Sequence, residues 1–229
     1  MSTAALPPRP GVEPAAPSAG SAIRRQPDRG RYDRPALDAV LDAGWLAHVG
    51  LAVDGEPSVI PMVYARDGDR LLLHGSVASR LMRAGASGVR VCATVTHVDG
   101  LVLARSAFHH SVNYRSAVVR GVAERVTDPD DLAAGFARLV EHAVPGRAAL
   151  VRSPSEVETR QTMLLALPLD DFAVKSRTGG PKDEPEDLDL AVWAGVVPLA
   201  LTPEVPVPAD DLAPHLAADL APPSEVTTA

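Results

Sequence analysis

Apolar and polar residues alternate over much of the chain, and this period of two predicts strands. In 44–53 (GWLAHVGLAV), Trp45, Ala47, Val49, Leu51 and Val53 make one apolar face, while His48 falls on the other. In 57–65 (PSVIPMVYA), Ile60, Met62 and Tyr64 oppose Val59 and Val63, with Pro61 interrupting. A proline removes a ladder donor, so this stretch is an edge strand or carries a bulge, and its exposed backbone suits a flat ligand. Further strands are predicted at 69–74, 89–98, 101–105, 115–126 and 171–177. Asp54-Gly55, Asp67-Gly68 and Asp99-Gly100 each lie between β-prone runs. Asp-Gly fits the positive φ angles of a type I′ hairpin turn, so the three pairs predict an antiparallel meander.

Helices are fewer. Residues 128–142 open with Asp128 as cap and Pro129 at the first helical position, followed by a stripe of Leu132, Phe136, Leu139 and Val140. Residues 155–166 open with the capping-box pair Ser155 and Glu158, and a short helix is expected at 77–86. The sum is a mainly β fold: an antiparallel barrel of six or seven strands with flanking helices. Of 22 prolines, seven lie in residues 1–35 and six in 200–229, and both ends lack periodicity. Such segments bury too little surface to offset the entropy of ordering them. Residues 1–30 and 203–229 are therefore expected to be disordered tails around one domain at 31–202.

Composition narrows the function. A net charge of −7 argues against a nucleic-acid binder that relies on a basic face. No apolar run approaches the ~18 residues of a membrane span, and the N-terminus does not read as a signal peptide. A single cysteine, Cys92, excludes an intrachain disulfide framework and a thiolate-rich metal site. The expected location is the cytoplasm.

Two segments concentrate chemistry. Leu73-His74-Gly75-Ser76-Val77-Ala78-Ser79-Arg80 runs from a strand into a helix, and its hydroxyls, guanidinium and free N–H groups suit a phosphate. The plainer alternative is an ordinary N-cap at Ser76 with a solvated Arg80. Arg105 to Ser116 (RSAFHHSVNYRS) gathers polar and aromatic groups between two strands, and binding residues are enriched on such loops. The alternative there is a hydrogen-bonded connection. Adjacent His109 and His110 point to opposite sides of an extended chain, which makes a poor metal pair. His48 and His97 read as satisfied barrel residues. No Gly-x-Ser-x-Gly elbow and no Gly-x-Gly-x-x-Gly fingerprint is present. The loop from Arg177 through Lys182 is compatible with an anion.

In order, GWLAHVGLAVDGEPSVIPMVYARDGDRLLLHGSVASRLMRA, VCATVTHVDGLVLARSAFHHSVNYRSAVVRGVAE and SRTGGPKDEPEDLDLAVWAGVVPL resemble the pyridoxamine 5′-phosphate oxidase-like flavin-binding family. Within it the chain is most similar to flavin-nucleotide-binding proteins related to nitroimidazole-resistance proteins. The resemblance spans about 35–200. It implies a split β-barrel that binds FMN at a homodimer interface. Val59, Ile60, Pro61 and Met62 would line the flavin ring, and His74, Ser76, Ser79 and Arg80 would hold the ribityl phosphate. The 105–115 loop would reach the flavin, across the dimer, through Ser106, His109, Asn113 and Tyr114.

Departures limit that inference. Relatives carry an Arg-Lys pair where Arg80 is followed by Leu81, so a second phosphate cation must come from Arg105, Arg115 or Arg83. The Arg-x-His that holds the substrate in true pyridoxamine phosphate oxidases has no counterpart in Ser176-Arg177-Thr178-Gly179, so pyridoxal phosphate synthesis is not expected. The favoured reading is an FMN-dependent oxidoreductase acting on a small molecule such as a nitro or quinone compound, with His109 or Tyr114 delivering a proton. The alternatives are a flavin carrier or sensor without turnover, and the same barrel holding haem or F420. Haem would need an axial histidine, with His74, His109 and His110 as candidates.

Overall fold

The computed structural model describes residues 18–211 and 226–227. Its strands are β1 (Gly30–Arg31), β2 (Leu46–Val53), β3 (Glu56–Asp67), β4 (Arg70–Ser76), β5 (Arg90–Leu103), β6 (Ser111–Val122), β7 (Glu124–Arg125), β8 (Thr162–Pro168), β9 (Phe172–Arg177) and β10 (Gly195–Pro198). The helices are α1 (Arg34–Asp42), α2 (Arg80–Ala86), α3 (Pro129–Ala143) and α4 (Glu156–Gln161). Among the described residues all ten strands join one antiparallel sheet, in the order β1-β9-β6-β5-β2-β3-β4-β8-β7, with β10 added to β5. Since β1 and β7 do not pair, the path stays open: a split barrel rather than a closed one.

The three Asp-Gly pairs become three different structures. Asp54 and Gly55 both have positive φ, at 55° and 82°, as a type I′ turn requires between β2 and β3. Between β3 and β4 the two-residue loop is Gly68-Asp69, and the positive φ (58°) falls on Gly68 alone, the pattern of a type II′ turn. Asp99-Gly100 makes no hairpin. The predicted strands 89–98 and 101–105 are one strand, β5, with a bulge where the register against β6 shifts between Val98 and Gly100. A Cβ on Gly100 would come within 3.0 Å of the Val197 carbonyl, so the glycine lets β10 approach. The Asp99 carboxylate is held by the Arg115 guanidinium at 2.9 Å.

Two other expectations change. The capping box at Ser155 is present, but α4 stops at Gln161 and the chain continues as β8. The run Met163 to Leu167 is buried, and a continuous apolar segment of that length does not by its period distinguish a strand from a helix. Residues 34–42 form a helix that the sequence reading left unassigned. Asp33 caps it by accepting from the Ala36 amide, and Leu37, Val40 and Leu41 bury its inner stripe. The merged β5 and the added β8 leave seven strands of six or more residues, together with short β1, β7 and β10.

The barrel interior is filled by Val49, Tyr64, Leu71, Leu73, Val95, Leu165 and their neighbours, closed at one end by α1. Each fully buried aliphatic side chain contributes on the order of 1.5–3 kcal/mol. A second layer, Ala65, Leu72, Leu139 and Leu164, lies between the sheet and α3. The helix sits so close that a Cβ on Gly135 would fall 2.4 Å from Leu164 Cδ2.

The described part of the N-terminal tail is tied down. The Ser18 and Ser21 hydroxyls donate to Asp171 at 3.0 and 2.5 Å, and Lys175 donates to the Arg25 carbonyl at 2.7 Å. At the other end, residues 203–211 carry no strand or helix, and the Thr227 amide donates to the Ala143 carbonyl at the end of α3 at 3.0 Å. The rest of both predicted tails lies outside the described residues.

Candidate functional site

The first predicted segment lies where the barrel splits. Along β3, Glu56–Val63 pair with β2 and Tyr64–Asp67 pair with β4. Beyond Leu73, β4 leaves β3 and follows β8 as far as Ser76. A stretch of β3 therefore keeps one edge without a strand. The Tyr64 amide donates to the Trp45 carbonyl at 3.0 Å, on the β2 side. Alternation then turns the backbone groups of Pro57, Val59, Pro61 and Val63 outward. Two of those four are prolines, so Pro61 sits opposite His48 without removing a bond from the ladder. Residues 56–61 are exposed, Val59 to 65% and Ile60 to 40%. This is the interrupted edge that Pro61 predicted, presenting apolar side chains, carbonyls and few donors.

The β4–α2 connection borders that strip. A Cβ on Gly75 would lie 2.9 Å from Met82 Cγ and 3.8 Å from Met62 Cε, which places β3, β4 and α2 in contact. The helix starts at Arg80, later than predicted, and its cap is Ser79, whose hydroxyl accepts from the Met82 amide at 3.4 Å. Ser76 is no helix cap; its hydroxyl accepts from the Ala78 amide at 3.2 Å. Arg80 and Arg83 are exposed, and neither has a carboxylate within salt-bridge distance among the described residues. Of the other cations considered, Arg105 pairs with Asp183 at 2.9 Å and Arg115 with Asp99 at 2.9 Å. The unneutralised pair is thus Arg80 and Arg83, three residues apart on one helix.

His74 lies at the fork. Its Nδ1 is buried without a hydrogen-bond partner. Burial lowers the ring pKa below its ordinary value, and the Val63 backbone opposes that shift by favouring the protonated ring. A cavity of about 430 Å³ opens beside it, lined by His74, Phe136, Arg152, Pro154, Glu158 and Thr162. At its mouth Arg152 grips Glu158 through two bonds of 2.7 Å, and Glu158 also accepts from the Ser155 amide. These contacts hold the Glu158 carboxyl well below the usual range. Sequence reasoning did not find these residues around His74, because they come from α3, the segment before α4, α4 and β8, far along the chain and without a shared local motif.

The second predicted segment is separate within one chain. Among the described residues, none of Arg105, Ser106, His109, Asn113 and Tyr114 hydrogen-bonds to β3, β4 or α2. Arg105, His109 and Asn113 face the 177–184 loop instead. Arg105 donates through its amide and guanidinium to Asp183, whose side chain is 2% exposed. His109 Nε2 lies 3.5 Å from Glu184. Asn113 donates to the Gly179 carbonyl at 3.2 Å and accepts from Arg177, which also donates to the carbonyls of Gly179 and Gly180. Arg177, considered above for an anion, is therefore committed to carbonyls. Tyr114 is half-buried, and Ser106 Oγ is buried without a partner. Phe108, by contrast, stands 90% exposed at the tip.

Residues 33–176 match the model of the family described as pyridoxamine 5′-phosphate oxidase. The chain belongs to this family. Two of the matching solved structures are more than 35% identical over the aligned residues. The flavocytochrome Anf3 of Azotobacter vinelandii is 36% identical, with a TM-score of 0.83 over 91% of this chain and 95% of that one. A protein of Mycobacterium smegmatis described as binding FAD and haem is 38% identical, with a TM-score of 0.80 over 86% and 95%. A candidate 5-nitroimidazole resistance protein of Bacteroides thetaiotaomicron shares the fold at 21% identity, with a TM-score of 0.52 over 64% and 85%. No curated protein matches the chain. No helix among the described residues is long and apolar enough to cross a membrane.

Proposed function

We propose that the chain is a flavin-dependent oxidoreductase whose flavin lies between two copies of the protein. The ring would rest along Val59, Ile60, Pro61 and Met62, and the phosphate would be held by Ser76, Ser79 and Arg80, with Arg83 as the second cation. The single observation that carries this reading is the edge of β3 without a strand neighbour: an exposed apolar strip beside an unneutralised guanidinium pair. A bound flavin supplies one- or two-electron transfer. The chain's own part is to orient the ring, to neutralise the phosphate and to place a proton donor. His109 and Tyr114 would fill that last role from a second copy, since within one chain His109 lies against Glu184 and neither hydrogen-bonds to β3, β4 or α2. The substrate class remains a small electron acceptor such as a nitro or quinone compound.

The nucleotide expected from the sequence is FMN. The relative described as binding FAD and haem favours FAD on the same phosphate site, and it also favours a second cofactor, haem. The test is the visible spectrum of the purified protein together with chromatography of the nucleotide released on denaturation. Flavin absorption with FMN or FAD released supports the reading and identifies the nucleotide. A colourless protein that takes up neither FMN nor FAD when they are added overturns it.

A further inference from the structure

The strand registers place side chains in rows across the outer face of the sheet. Pro61 of β3, His48 of β2, Thr94 of β5 and Val118 of β6 form one such row. The Pro61 backbone points away from β2, so its pair with His48 is the kind without ladder hydrogen bonds, in which side chains approach most closely. The next row is Val59, Gly50, Cys92 and Arg120. Gly50 puts no side chain between its neighbours, and an open groove of about 300 Å³ lies there, lined also by Ala52, Pro57 and Arg90. The two cations of that groove are engaged, Arg90 with Asp171 at 3.2 Å and Arg120 with the Ser21 hydroxyl at 3.0 Å. Leu46, two residues before His48 on the same face, is 42% exposed.

Six of the seven histidines lie in the described residues. The expectation of two satisfied barrel histidines holds for His97, whose Nε2 bonds the Val40 carbonyl at 2.8 Å, and not for His48. His142 Nε2 bonds the Gly44 carbonyl, His110 Nδ1 bonds the Ser106 carbonyl, and His109 faces Glu184. His74 Nδ1 is enclosed by protein. His48 is exposed, with no hydrogen-bond or ion-pair partner among the described residues. Water satisfies an exposed imidazole, so exposure by itself assigns nothing. Its place beside Pro61, among Leu46, Val59 and Gly50, does.

We propose that His48 is a flavin-binding residue, its imidazole donating a hydrogen bond to the polar edge of the ring. This rests on the reading of the chain as a flavoprotein whose ring lies along β3. Sites for small molecules and cofactors are mostly apolar, with a few placed polar groups that fix orientation. Val59 and Pro61 supply the apolar part, and His48 is the polar side chain directly beside them. Thr94, the other polar side chain of the row, lies one strand further from β3. One end of an isoalloxazine carries its nitrogens and carbonyls and the other is a dimethylbenzene, so the imidazole would select which end turns toward β2. Hydrogen bonds to the ring nitrogens are also a means by which a protein tunes a flavin. His109 and Tyr114 would come from a second copy, whereas His48 belongs to the chain that presents the strip.

The test is titration of the purified full-length protein with FMN and with FAD, read by quenching of flavin fluorescence and by the positions of the visible bands. His48→Leu should weaken binding roughly tenfold and shift the bands, because it keeps the apolar contact and removes the donor. His48→Gln, whose amide reaches about as far as Nε2, should recover most of the affinity and the wild-type bands. His110→Ala should change neither. Both His48 variants should melt as the wild type does, since the side chain is exposed. Wild-type affinity and bands in His48→Leu would overturn the proposal, and so would equal losses in His48→Leu and His48→Gln, which would make the effect one of shape alone. Wild-type protein that takes up neither nucleotide overturns the flavin reading itself, a result seen before any variant is made.

Discussion

The β3 edge and the Arg105–Tyr114 loop were both selected for their polar and unusual residues, and the fold treats them in opposite ways. Along β3 one backbone edge has no strand partner from Pro57 to Val63, apolar side chains face solvent, and among the described residues the nearby Arg80 and Arg83 lack carboxylates. In the loop the charged and amide side chains are largely paired within the chain, Arg105 with Asp183, and Asn113 and Arg177 with each other and with glycine carbonyls, while Ser106 Oγ and Arg105 Nε stay buried without a partner. A charged group already paired in the interior has little left to give a ligand, because breaking the pair costs its desolvation. A group left unpaired beside an apolar strip has not spent that interaction. Residue type alone does not reveal which state holds.

Substitutions can break this contrast. The largest expected effect is on stability in the loop: Arg177→Ala removes donors to Asn113, Gly179 and Gly180 and should cost about 3 kcal/mol in urea unfolding, with flavin affinity changed far less. Equal losses of stability and flavin affinity would show that the loop serves the ligand directly. Second, Val59→Asp puts a charge on the strip. Val59 is 65% exposed, so stability should move by less than about 0.5 kcal/mol while flavin binding weakens roughly tenfold or more. A variant that binds flavin normally would remove the strip from the site. Third, Arg80→Ala should lose a charge-assisted phosphate contact of about 1.5–3 kcal/mol, or roughly tenfold or more in affinity, at unchanged melting temperature. Arg105→Ala should do the reverse, lowering the melting temperature and sparing affinity.

The smallest effect is a pH dependence. His74 and His142 are both lowered from 6.5, chiefly by burial. Below that value the unfolded chain takes up protons that the folded chain resists, so their stabilising contribution is complete above it and is lost as pH falls through the folded pKa values. The melting temperature should therefore decline between about pH 7 and pH 5, and His142→Asn should flatten part of that decline. An identical slope in the variant would assign the acid sensitivity elsewhere.

The strands were legible because alternation is a local property: Ala47, Val49 and Leu51 are buried as their spacing predicts. Pro61 was equally legible, since a missing donor is tolerated only where no ladder needs it. The Asp54-Gly55 turn followed from the φ angles its residues accept. Where the reading failed, the deciding contact lay far along the chain. Asp99-Gly100 became a bulge because β10, nearly a hundred residues later, packs against it. Thr162 to Pro168 became a strand because β4 and β7 flank it, and its apolar run suited either element.

The sequence by itself determined a mainly β barrel, its edge strand, its family and the residues able to meet a phosphate, because those rest on period, proline and short-range order. Only the tertiary structure decided which of those residues remain available. It neutralised Arg105 and Arg115, tied Arg177 to carbonyls, left Arg80 and Arg83 without a carboxylate among the described residues, and set His74 against a cavity. Availability depends on what other segments bring to each side chain, and pairing and burial between distant segments are properties of the folded chain.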